Sequence, residues 1–152
     1  MYSCGQGKPL MKRSLLFDAS SIFTLVRELR GKAPDVLVEG STISLAYYEL
    51  GNALWRECFL LKRISQKEAE SSLRAMFGIL ETMDVVLLEN EDEGSAVLDK
   101  ACKFNITFYD SAYVTEAVRS KKTLVTDDKK LAKAAENAGV KTLTSRSFMA
   151  EG

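Results

Sequence analysis

Four acidic residues stand where an apolar run hands over to a helical pattern. Asp18 closes SLLFD (14–18), Asp110 closes ITFYD (106–110), and Asp128 follows TLVTD (123–127). Glu49 lies one turn into the helical pattern after STISL (41–45). Gathered at one place, such carboxylates would repel one another by roughly 4 kcal/mol per pair at about 4 Å and an effective dielectric near 20. A divalent cation removes that penalty. Mg²⁺ or Mn²⁺ suits an all-oxygen donor set and usually keeps several waters, so it can lower the pKa of a bound water and polarise a phosphate. The chain has no histidine. Serine–histidine and cysteine–histidine catalysis within the chain are therefore excluded, as is a His-ligated zinc or iron site. Carboxylates, hydroxyls, lysines or a hard oxygen-bound ion must carry any chemistry.

Each acid also has a structural use. Asp128 could cap a helix starting at Lys129, and Asp110 one starting at Ser111; a helix N-terminus tolerates negative charge, so capping and ligation are compatible. Asp18 precedes a cap at Ser20 or Ser21. Glu49 on its own reads as an ordinary helix residue, and Asp127 as a solvated neighbour. Glu91, Asp92 and Glu93 favour the dipole of the helix they begin. Arg119, Lys121, Lys122, Lys129, Lys130 and Lys133 flank the expected rim and could steer phosphate, or simply be exposed helix ends.

The elements that must position these groups alternate. Strands are expected at 14–18, 41–45, 85–89, 123–127 and 140–144, with 106–110 a strand or a loop entering a helix. Helical patterns fill 20–31 (stopped by Gly31), 45–63, 65–83, 91–105, 111–121 and 128–139, with a polar turn after Pro34. Ser65 followed three residues later by Glu68 is a capping box. Strands joined through helices require crossovers, hence a largely parallel sheet covered on both faces, and ligands bind outside the carboxyl ends of its strands. The division expected is an N-terminal extension over 1–12, one α/β domain over 13–146 and a tail over 147–152.

Composition bounds the partners. Twenty-one basic residues balance 21 acidic ones, which argues against binding through bulk positive charge to a membrane or to nucleic acid at large. Cys4, Cys58 and Cys102 share no metal-binding spacing and fit thiols in a reducing cytoplasm. No apolar run approaches the roughly 20 residues of a membrane span, so no membrane partner is expected. Trp55, Phe59, Leu60 and Leu61 spread around their helix beyond one core stripe, as a partner surface or a deeper core would require.

The blocks LLFDASSI, STISLAYYELGNALWR, ITFYDSAYVTEAV and LVTDDKKLAKAA resemble, in that order, those of the PIN-domain ribonucleases, especially VapC-type toxins of prokaryotic toxin–antitoxin pairs. The resemblance covers residues 14 to 144. It implies a PIN-like three-layer α/β/α fold with a central mostly parallel sheet. It implies an acidic site of Asp18, Glu49, Asp110 and Asp128, with Asp18, Asp110 and Asp128 holding Mg²⁺ or Mn²⁺. Ser20 and Thr126 are implied as hydroxyls behind the carboxylates; Thr126, Asp128 and Leu131 keep the usual register, leaving Asp127 at the variable place. The implied activity is endoribonuclease cleavage of RNA, with a small antitoxin and a homodimer as partners. The alternative from a different class is a non-catalytic PIN-like interaction module in an RNA-processing complex. A haloacid dehalogenase-type phosphatase would need an aspartate at Ser20, and a phospho-receiver domain an acidic pair where LLFDAS offers only Asp18.

Overall fold

The computed structural model describes residues 14–151. The extension expected over 1–12, with Cys4, lies outside them. Within this span the chain forms five short strands: β1 (Leu15–Phe17), β2 (Ser41–Ile43), β3 (Asp84–Val86), β4 (Thr123–Val125) and β5 (Thr142–Leu143). All pairings are parallel, in the order β3-β2-β1-β4-β5. Their helices are α1 (Ala19–Leu29), α2 (Ala33–Leu37), α3 (Leu45–Trp55), α4 (Gln66–Leu80), α5 (Glu91–Phe104), α6 (Phe108–Ser120), α7 (Lys129–Asn137) and α8 (Ser145–Glu151).

The central strands β1 and β2 are buried at every residue, whereas the edge strands β3 and β5 are only partly covered. Leu15, Phe17 and Val125 face one layer, built from α1, α2, α3, α4 and α8; Leu16 and Leu124 face the other, built from α6 and α7. That alternation follows from the two-residue period of a strand, and apolar residues on both faces are what a covered parallel sheet requires. Each fully buried Leu or Phe in these layers contributes on the order of 2 kcal/mol. Gly40 sits where a Cβ would come within 2.8 Å of the Phe17 ring, so its lack of a side chain lets the chain enter β2 close beside that ring.

Several boundaries differ from those read in the sequence. Residues 106–110 are not a strand: Thr107 caps a helix that begins at Phe108, its hydroxyl accepting from the Asp110 N–H at 3.0 Å. Pro34 opens α2 rather than a turn, since its missing N–H is harmless in a first helical turn. α1 ends through Arg30, at φ 51°, one residue before Gly31. Residues 147–151, expected as a tail, belong to α8, and Phe148 meets Phe17 edge to face at 5.3 Å. The capping box at Ser65 and Glu68 is present. After Trp55 the long helix opens into one turn of π-helix over Arg56–Leu60. No helix among the described residues is long and apolar enough to cross a membrane.

Candidate active site

Strand order reverses between β1 and β4, the place where an open parallel sheet leaves a crevice at its carboxyl edge. Asp18 follows β1 there. It is 4% exposed and itself caps α1, accepting from the Ser21 N–H at 2.9 Å, rather than preceding a serine cap. Two further donors reach its carboxylate: Ser20 Oγ, at 2.8 and 2.9 Å from the two oxygens, and Thr126 Oγ1, at 2.5 Å from Oδ2. Burial pushes its pKa up, although these hydrogen bonds pull the other way.

Thr126 links the two strand ends. While donating to Asp18 it accepts from the Asp128 N–H at 3.0 Å, and Asp128 then caps α7 through the Lys130 and Leu131 N–H groups at 2.9 and 3.1 Å. Ser20 Oγ accepts from the Asp127 N–H at 3.0 Å, tying α1 to the same turn. The two hydroxyls thus brace the carboxylates from behind.

Glu49 and Asp110 arrive from helices. Glu49 on α3 accepts from the Tyr113 hydroxyl at 2.7 Å. Burial raises its pKa first, and the carboxylates of Asp18, Asp110 and Asp128 raise it further. Asp110, in the first turn of α6, is raised by burial and by Asp128, and lowered by Lys130. All four carboxylates line one cavity of about 1140 Å³. Tyr113 escapes a reading of sequence alone, yet it stands three residues after Asp110 on the same helix face, which is the signal that could have found it. Tyr48, Asn52, Arg56 and Tyr109 line the cavity as well.

The expected steering lysines divide. Lys129 and Lys130 begin α7 beside the cavity. Arg119 is held by Glu116 at 2.6 Å, and Lys122 donates to Ser41 Oγ at the start of β2, so both lie at the amino edge of the sheet instead. Asp127 is exposed but occupied: it accepts from the Ser145 N–H and Oγ at 2.8 and 2.7 Å, fixing the start of α8.

The donor chemistry fits a hard divalent ion. It consists of carboxylate and hydroxyl oxygens, crowded enough that neighbouring carboxylates raise the pKa of Glu49 and of Asp110, with no salt bridge to any of the four acids among the described residues. Among the described residues no three of the acidic and cysteine side chains are grouped so that they could together hold a metal ion. Mg²⁺ commonly binds through one or two carboxylates and several waters, so a closed protein cage is not needed.

No protein-family model matches the chain. A relative named Exonuclease VapC9, from Pyrobaculum aerophilum, is 34% identical over 105 residues, spanning 68% of this chain and 74% of that protein. The crystal structure of PAE2754 from Pyrobaculum aerophilum has the same fold, with a TM-score of 0.72 at 24% identity, covering 93% of this chain and 96% of the other. With four acids around the crevice of a five-stranded parallel sheet, and with that degree of identity over most of a named relative, the chain belongs to the VapC-type PIN-domain family.

Proposed function

We propose that the protein is a divalent-metal-dependent endoribonuclease and the toxin of a toxin–antitoxin pair. One observation carries this reading: four carboxylates from separate parts of the chain share one cavity at the strand-order switch, where Asp18, Asp110 and Asp128 raise the pKa of Glu49 and Asp128 raises that of Asp110. Family membership supports the nuclease class. Asp18, Asp110 and Asp128 would hold Mg²⁺ or Mn²⁺, in part through the waters the ion keeps. When bound, such an ion makes water a better nucleophile near neutral pH and withdraws charge from the scissile phosphate.

The chain's own groups supply the positioning. Ser20, Ser21 and Thr126 fix the Asp18 carboxylate in one orientation. Tyr113 holds Glu49 through Oε1, and Oε2 carries no hydrogen bond among the described residues, so Glu49 is placed to orient water. Asp128 is exposed and Glu49 and Asp110 are half-buried. A polynucleotide can therefore approach sideways without threading a free end, which favours internal cutting. End-directed cutting is the second reading, suggested by the exonuclease name of the relative.

An antitoxin and a second copy of the chain complete the proposal, supported by the family and by the exposed Trp55, Phe59, Leu60 and Leu61 at the end of the long helix. Light scattering that found only monomer would remove the homodimer.

The decisive assay uses a circular and a linear single-stranded RNA with Mn²⁺. The native protein should cut both, and Asp18→Asn, still folded by circular dichroism, should lose at least about 100-fold in rate, the scale on which a transition-state charge partner acts. Equal cleavage by the variant removes the enzymatic claim and leaves the interaction module; cleavage of the linear RNA alone makes the enzyme an exonuclease.

A further inference from the structure

Two of the cavity acids share a local pattern that the metal reading leaves unused. Glu49 follows Tyr48 on α3, and Asp110 follows Tyr109 on α6. Both tyrosines line the cavity, yet they are 79% and 61% exposed. A step of one residue turns a helix by about 100°, so each ring sits on the cavity's outer lip beside the acid it precedes. Among the described residues neither ring packs against another aromatic ring, and neither hydroxyl makes a hydrogen bond. A tyrosine presents an apolar face and a polar tip, which suits a wet, intermittently occupied surface.

On the same side of α3, Asn52 and Arg56 lie one and two turns beyond Tyr48 and line the cavity too. Arg56 forms no salt bridge among the described residues, although four carboxylates border the same space. It is also where the π-helical turn begins, and such turns concentrate at functional sites.

We propose that Tyr48 and Tyr109 are stacking platforms for two unpaired bases at the lip of the acidic cavity, and that Arg56, two turns beyond Tyr48, holds a phosphate of the same strand. The occupant is a single-stranded polynucleotide. In a duplex the base faces are covered by their neighbours, so no exposed ring can reach them, whereas an unpaired base offers its face to any ring. This deepens, and rests on, the ribonuclease reading: the acids act on a phosphate, while the tyrosines decide which conformation of RNA brings it there.

The test is fluorescence anisotropy with a labelled 12-nucleotide single-stranded RNA and its duplex. Every protein carries Asp18→Asn in Mg²⁺ to prevent cutting, and the series is repeated with native Asp18 in EDTA. Tyr48→Ala and Tyr109→Ala should each weaken single-strand binding about tenfold, within the range that removal of a stacked ring produces, and Tyr48→Phe and Tyr109→Phe should restore it. Arg56→Gln should flatten the slope of log affinity against log salt by about 0.7, the loss of one single-strand phosphate contact. The duplex should bind more weakly and ignore both tyrosines. Unchanged affinity in the alanine variants, failure of phenylalanine to rescue, or equal sensitivity of the duplex overturns the proposal and leaves these rings to a protein partner. The two readings fail separately. Cleavage by native Asp18 with indifferent tyrosines sinks only the platforms, whereas ring-dependent binding without any cleavage sinks only the nuclease.

Discussion

Burial acts against Asp18, Glu49 and Asp110 in the metal-free protein. Their ordinary values are 3.8, 4.5 and 3.8, and each is raised in the folded chain, chiefly by desolvation. Between the ordinary and raised values the folded state keeps protons that the unfolded chain has released. Linkage then makes stability fall as pH rises through that window and stay low above it. Glu49→Gln keeps an acceptor for the Tyr113 hydroxyl while removing one of the repelling charges. In EDTA at pH 7 it should raise Tm by roughly 2–4 °C, the shift that about 1 kcal/mol gives a domain of this size, with a smaller gain at pH 4. A variant no more stable than the native protein at pH 7 would show that repulsion in the cavity is negligible.

Elements explain what the sequence could reveal and what it concealed. Helices whose caps are local were readable: Ser65 and Glu68 lie within four residues and bracket the start of α4. Local apolar patterning misleads around Ile106, where ITFY has the composition of a strand but Thr107 supplies the hydroxyl that starts α6. α8 was hidden for a different reason. Thr144 caps it, its hydroxyl accepting from the Ser147 N–H at 3.0 Å, but seven residues show little helical periodicity. The Asp127 carboxylate that holds Ser145 lies eighteen residues upstream on another strand end. The doubled aspartate divides accordingly, with Asp128 capping α7 toward the cavity and Asp127 holding Ser145 at the start of α8 away from it. Asp127→Ala removes both bonds to Ser145. It should destabilise the protein by about 1 kcal/mol and speed hydrogen exchange in residues 145–151, while the rate of RNA cleavage is retained. Loss of cleavage with unchanged exchange would mean that Asp127, not Asp128, faces the chemistry.

For the whole molecule, alternation of strand and helix with apolar runs was enough to indicate a covered parallel sheet, because a crossover leaves few other arrangements. Strand order was not legible, and neither was the Tyr113–Glu49 bond, since both depend on packing between segments far apart in sequence. Strand order matters here because it opens the crevice between β1 and β4, into which α1, α3, α6 and α7 bring their acids. The central claim is that those acids act together on one divalent ion. Isothermal titration of Mn²⁺ into the purified protein at pH 7 tests it most directly. Saturable binding should appear in the native chain and in Asp127→Asn, and weaken at least about tenfold in Asp18→Asn and in Asp110→Asn. No binding to the native chain, or equal binding in all four proteins, would contradict it.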